Sequence, residues 1–310
     1  MILKKTVFVL GAGASTPYGF PLGEVLAELV CKGISARNSE IRRAANLFSG
    51  ADVRLLDRFE AEFRNSGRGS LDAFVEARRE FLTAVKIGIA AVLLPLERDL
   101  ALRTGERNWY RYLFSKILPG DPAAFAENKL AVITFNFDRS FERAVYLALK
   151  ASYGLDDQTT CSLAKAVAVL HLHGDLGAPP WLSGAVDQDA RGFGFQFEDD
   201  PNLEIVRQAA SRLRIVHEEI PQAVLASVRS KLEWAERVCF LGFGYHPLNL
   251  AKLGVPTATR QRQLLGTAYR LSSGERLPVI RAFTADPPIS LSPPEADVLT
   301  FLRDTEVVHD

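Results

Sequence analysis

Five short runs constrain this chain more than any other feature: Thr6–Leu10, Leu130–Thr134, Ala166–Leu170, Arg237–Leu241 and Gln263–Thr267. Each is largely apolar, β-branched or aromatic along its whole length rather than alternating, the pattern of a strand covered by helices on both faces. The first four end in glycine or polar motifs: Gly11-Ala12-Gly13-Ala14-Ser15, Phe135-Asn136-Phe137-Asp138, His171-Leu172-His173-Gly174 and Gly242-Phe243-Gly244-Tyr245-His246. In an open parallel α/β sheet, ligands bind outside the carboxyl ends of the strands, so four such motifs point at one crevice. The expected fold class is α/β: a Rossmann-like, mostly parallel sheet with helices on both faces.

The first two runs are separated by far more chain than a crossover helix needs. Amphipathic patterns predict helices over Leu22–Lys32, Arg54–Phe63 and Leu71–Leu100, the last capped by Ser70, followed by Trp109–Leu118. The expected organisation is a sheet core made of 1–21 and 129–290, a helical insertion at 22–128, and a tail at 291–310 packed on the core. Further helices are expected over Asp138–Lys150, within Asn202–Trp234, and over Glu295–Arg303, with a long loop at Gly174–Pro201.

With 47% apolar and 24% charged residues among 310, the chain can bury a full core. Its 37 basic and 37 acidic residues cancel, so no global basic excess steers it to nucleic acid, and no direct nucleic-acid binding is expected. Cys31, Cys161 and Cys239 lie far apart with no C-x-x-C pair, which argues against a disulfide framework or a four-cysteine zinc site. A cytoplasmic protein is expected. The Lys4-Lys5 pair and the apolar run after it imitate the start of a signal peptide, but the run is short and broken by glycine. No run reaches the ~18 apolar residues that span a bilayer, so no membrane is expected.

Gly11-x-Gly13 after a strand lets backbone turn tightly and approach a phosphate, or serves only as a turn. The dehydrogenase fingerprint wants a third glycine where Thr16 stands, and an acidic residue ~20 positions on where this chain reads as helix. Asn136 and Asp138, two apart after a strand, project to one side. An amide and a carboxylate there can hold a ribose or a water, although Asp138 also suits a helix cap. His171 and His173 repeat that spacing. Two histidines lack the further ligand a metal needs, so no metal is expected, and His171 reads equally as structural. His173-Gly174 suits a general base or a ribose contact. His217, in an expected helix, and His309 read as bland.

Taken in order, these motifs resemble the sirtuin superfamily, and within it a branch of bacterial NAD-hydrolysing effectors of the anti-phage defence type. The resemblance rests on Gly11-Ala12-Gly13-Ala14-Ser15 with Gly19-Phe20-Pro21, on Thr134-Phe135-Asn136-Phe137-Asp138, on Leu172-His173-Gly174, and on Leu241-Gly242-Phe243-Gly244-Tyr245-His246-Pro247-Leu248-Asn249. Gln263–Glu275, with Gly266-Thr267-Ala268-Tyr269, also looks family-like. The resemblance implies NAD+ as substrate, with Gly11, Ala12, Gly13, Ser15 and Pro21 among its binding residues. Asn136 would order a water and the nicotinamide ribose, Asp138 would contact the carboxamide or fix the loop, and His173, with Gly174 beside it, would bind the ribose and act as base. Gly242 and Gly244 would approach the adenine ribose, with Asn249 as a partner.

Departures narrow what is implied. Leu22-Gly23-Glu24 stands where deacylating sirtuins carry Asp-Phe-Arg, Phe135 replaces a glutamine, and the zinc ribbon cannot be built from three scattered cysteines. The resemblance therefore implies an NAD+ glycohydrolase, with no zinc, working as a homo-oligomer or under an activating partner protein. Its alternatives are an NAD-dependent protein deacylase or ADP-ribosyltransferase, and a non-catalytic sensor of NAD or ADP-ribose.

Overall fold

The computed structural model describes residues 1–48, 50, 53–105, 107–178, 201–215, 218–254, 262–283 and 288–309. Six parallel strands form one sheet: β1 Thr6–Leu10, β2 Leu130–Thr134, β3 Ala168–His171, β4 Arg237–Leu241, β5 Gln263–Gly266 and β6 Ser290–Leu291, in the order β3-β2-β1-β4-β5-β6. β1 is central, pairing Thr6 with both Leu130 and Arg237, and Leu10 with both Thr134 and Leu241. Every residue of β1, β2 and β4 is buried. Their side chains divide with the two-residue period of a strand. Phe8, Leu10, Val132, Cys239 and Leu241 enter one apolar cluster; Val7, Val9, Ile133, Val238 and Phe240 enter the other. Helices thus cover both faces, and the fold is the Rossmann-like α/β one.

The described residues between β1 and β2 contain no strand. Their helices are α1 Ala12–Ser15, α2 Gly23–Ser35, α3 Glu40–Phe48, α4 Val53–Asn65, α5 Leu71–Ala77, α6 Leu82–Leu93, α7 Asp99–Arg103 and α8 Trp109–Ile117. They bury Val30, Phe59, Phe74, Ile89 and Trp109 in the same cluster as Phe8 and Val132. Ser70 caps α5 as expected, its Oγ accepting from Ala73 N at 3.2 Å. The single helix expected over Leu71–Leu100 is instead three, α5 to α7, joined by 3-10 turns at Arg79–Phe81 and Leu94–Leu96. Pro95 accounts for the second break, because it has no N–H to donate into the helix and its ring crowds the carbonyl four residues back.

Beyond β2 come α9 Ser140–Tyr153, α10 Asp157–Ala164, α11 Pro201–Arg212, α12 Gln222–Trp234, α13 Pro247–Leu253, α14 Ser273–Ala282 and α15 Val298–Asp304. Of the long loop expected at Gly174–Pro201, residues 179–200 lie outside the described residues, as does His217. The third strand starts two residues later than its sequence suggests, so it carries His171 as its last residue. β6 was not foreseen, and it extends the sheet one residue into the expected tail, pairing Leu265 with Ser290 and Gly266 with Leu291. Two residues between Pro-rich segments give too little pattern to read as a strand. Among the described residues no helix is long and apolar enough to cross a membrane.

Candidate functional site

The carboxyl ends of β1 and β4 meet through backbone. Gly11 N donates to Leu241 O at 3.0 Å, and Gly13 N donates to Gly242 O at 2.9 Å. Gly242 has φ +57°, and a Cβ there would lie 2.1 Å from Ala14 N. A Cβ on Gly11 would lie 2.6 Å from Gly242 O. These glycines let two strand-end loops interlock, which is a packing duty in addition to any contact with a phosphate. Gly244 differs, having no atom within 4 Å of the position a Cβ would take. It faces open space.

The β2 end threads into this junction. Asn136 Nδ2 donates to Gly11 O at 3.0 Å and to Ser15 Oγ at 2.9 Å. Ser15 Oγ in turn donates to Asp138 Oδ2 at 2.9 Å. Asp138 Oδ1 accepts from Ser140 N at 3.1 Å and from Ser140 Oγ. Burial pushes the Asp138 carboxyl above the usual range, against the hydrogen bonds from Ser140 and Ser15 that favour its charge. Both Asp138 oxygens are engaged, so this residue organises the loops. The residue in the N-cap position of α9 is Arg139, although Asp138 holds the first helical N–H. With both Nδ2 protons used, Asn136 presents Oδ1 as an acceptor.

The two histidines take opposite protonation states. His173 Nδ1 lies 2.9 Å from the carbonyl of Arg214, which can only accept, so Nδ1 carries the proton and Nε2 is a bare lone pair. His173 Nε2 is buried without a partner. Burial, reinforced by the Lys252 ammonium, holds His173 below the usual imidazole range. His171 Nδ1 faces Asn136 O at 3.0 Å and Nε2 faces Glu142 Oε1 at 2.8 Å, two acceptors that make it an imidazolium. Burial alone would depress His171, but the Glu142 carboxylate overcomes it and raises the group. Glu142 is held low, its burial outweighed by Arg139 and His171. Arg139 also pairs with Asp175 at 3.0 Å. His171 therefore belongs to a buried ion cluster beneath the Asn136 loop, and the two histidines share no ligand. Gly174 lies behind His173 at φ +77°, where a Cβ would lie 2.0 Å from Arg212 O. It lets that turn pass the end of α11.

Two adjoining cavities open at the crevice between β1 and its neighbours. One, of about 300 Å³, is lined by Gly11, Ala12 and Ser15 after β1, Asn136 and Asp138 after β2, and His173 after β3. Pro21, Gly244 and Asn249 complete its predicted members. The second, of about 440 Å³, contains Gly13 and Gly242 and runs toward the β5 end at Thr267, Ala268 and Tyr269. Ala12, Gly23, Phe243 and Gly244 line both. Of the sequence-predicted site residues only Gly174 lines neither. Each cavity falls in the range of small-molecule sites, and together they straddle the reversal of strand order on either side of β1, where this topology takes dinucleotides. Asn249 Oδ1 is buried without a partner at the edge of the first cavity.

Several lining residues escaped the sequence reading. Asp72, in the first turn of α5, reaches the first cavity from the helical segment, and Arg107, Arg270 and Asp297 line the second. Asp72, Arg107 and Asp297 belong to no motif and arrive from elements far away in sequence, whereas Arg270 directly follows the Gly266–Tyr269 motif. Phe135 and Phe243, with ring centroids 5.1 Å apart, give the first cavity an apolar wall beside His173. Among the described residues no group of three or more His, Cys, Asp or Glu could hold a metal ion.

No family model matches the chain, and no curated protein matches it. Solved structures resemble it, among them two of Sir2 proteins. One is Sir2Tm bound to a propionylated peptide, at 17% identity and a TM-score of 0.42, covering 97% of this chain and 91% of that one. The other is a Sir2 variant with a deacetylated p53 peptide and 3'-O-acetyl ADP-ribose, at 17% identity and a TM-score of 0.39, covering 97% and 92%.

Proposed function

We propose that this chain is an NAD+ glycohydrolase, cleaving NAD+ to nicotinamide and ADP-ribose. The observation that carries the reading is the bare Nε2 of a neutral, buried His173 on the wall of a cavity shared with Asn136, at the dinucleotide crevice of the sheet. The sirtuin-like order of the strand-end motifs supports it.

Breaking the bond between ribose C1' and the pyridinium nitrogen leaves a cationic, oxocarbenium-like ribose and a neutral nicotinamide. The leaving group needs no acid. A water adds its oxygen to C1', and its proton must be taken up. Asn136 Oδ1 can accept from that water, and the His173 Nε2 lone pair can receive the proton, help worth roughly 10²–10⁴-fold. A neutral imidazole also avoids repelling the developing cation, which is what its depressed pKa secures. Ser15 and Asp138 fix Asn136 through a continuous hydrogen-bond chain. The Phe135 and Phe243 rings supply an apolar wall to that cavity.

The test is chromatography of NAD+ incubated with the full chain at high protein concentration, to allow assembly. Nicotinamide and ADP-ribose should form with the wild type and not with His173→Ala or Asn136→Ala of unchanged melting temperature. Turnover that both variants retain would remove them from the mechanism. Nicotinamide release that requires an acyl-lysine peptide would make the chain a deacylase, and tight ADP-ribose binding without product would make it a sensor.

A further inference from the structure

The two cavities carry opposite charge. The charged residues lining the first are Asp72 and Asp138. Those lining the second are Arg107, Arg270 and Asp297, two guanidiniums against one carboxylate. The two arginines converge on one phenol. Arg107 Nη1 donates to the Tyr269 hydroxyl at 3.1 Å, and its guanidinium lies 5.8 Å from the ring centroid. The Arg270 guanidinium lies 5.2 Å from the same ring. Asp297 pairs with Arg107 at 3.4 Å while also capping α15 through Thr300 N at 2.9 Å.

Arg270 is held in a backbone conformation that side-chain-bearing residues avoid. Its φ is +62°, and among the described residues only Tyr245 shares such a value without being glycine. A hydrogen bond from Arg270 N to Pro294 O at 2.7 Å keeps it there. Strain of this kind collects at ligand sites. Both guanidiniums are exposed, Arg107 at 62%, so they stand at the solvent-facing rim of the cavity, where an incoming anion meets them first.

From these features we infer that the second cavity takes an adenosine bearing a 2'-phosphate, so that the substrate class includes NADP+ as well as NAD+. The inference rests on the proposed hydrolase reading, which places the nicotinamide ribose at His173 in the first cavity and leaves the adenosine half for the second. The arginines line the second cavity alone, off the wall of Ala12, Gly23, Phe243 and Gly244 where the pyrophosphate would pass. An extra phosphate on the adenosine ribose meets a planar fork suited to it. Hydrolysis is unaltered in balance: water oxygen joins C1', nicotinamide leaves, and the other product is 2'-phospho-ADP-ribose.

Titration calorimetry of the full chain near physiological ionic strength, with ADP-ribose and with 2'-phospho-ADP-ribose, tests this without turnover. The phosphorylated ligand should bind about tenfold or more tightly. Arg270→Gly, which accepts the left-handed backbone, and Arg107→Gln should each bring the ratio of the two affinities toward one. Equal or weaker binding of the phosphorylated ligand, or a preference that survives both substitutions, overturns the inference and leaves the hydrolase reading standing. Binding of neither ligand overturns both.

Discussion

Gly242 and Gly244 look equivalent in the sequence, and the structure gives them different duties, so alanine at each should have opposite consequences. At Gly242 the left-handed φ of +57° costs a residue with a Cβ about 1–2 kcal/mol. The added Cβ would lie 2.1 Å from Ala14 N and 2.3 Å from Gly13 C, backbone atoms that cannot swing aside. Overpacking of this kind adds about 1–3 kcal/mol. Gly242→Ala should therefore lose about 2–5 kcal/mol, lowering the melting temperature by roughly 3–8 °C in a chain of this size. At Gly244 nothing lies within 4 Å, so Gly244→Ala should stay within ~0.5 kcal/mol of wild type. Its methyl group enters the wall common to both cavities, and it should weaken ADP-ribose binding instead. Thermal unfolding and ligand titration of the two variants read out both effects. A Gly242→Ala protein that melts with the wild type, or equal destabilisation by the two substitutions, would refute the interlocked-loop account.

Four further outcomes follow from the site. His173 titrates below the unfolded imidazole value of about 6.5, so kcat/KM for nicotinamide release should fall only below that pH; an acid limb centred at or above it would contradict a neutral base. The linked stability term has the same origin. The unfolded state takes up a proton first, so stability falls as pH drops through 6.5 toward the folded pKa, and His173→Ala should flatten that part of the stability curve in urea unfolding. Glu142→Gln should cost about 3–5 kcal/mol, because it leaves the buried His171 without its carboxylate while Arg139 keeps only Asp175. The raised pKa of His171 implies the reverse pH dependence for that pair, with stabilisation complete below about 6.5 and lost as pH rises through the folded pKa. Comparing Glu142→Gln with wild type across that range by chemical denaturation checks the sign.

The sheet was legible because its signal is local. Continuous apolar runs place β1, β2 and β4 at their observed bounds, and the helix-covered faces follow from the absence of alternation. Ser15, Asn136, His173 and Gly244 line one cavity because each sits just past a strand, and parallel strands bring their carboxyl ends together. Elements whose identity depends on neighbours were not legible. β6 is two residues long and exists only by pairing with β5. α13 has seven residues and carries too few turns for periodicity to show.

What the chain alone determined is the kind of sheet and the side of it on which chemistry gathers, since both depend on spacing along the backbone. Charge state is another matter. His171 and His173 are the same residue type two positions apart, and only their surroundings make one an imidazolium bound to Glu142 and the other a neutral imidazole with a buried, unpartnered Nε2. Likewise Arg107, Arg270 and Asp297 meet around Tyr269 from three distant segments. Desolvation and Coulomb energy depend on distances across the folded molecule, and those distances do not exist until the sheet and its helices have closed.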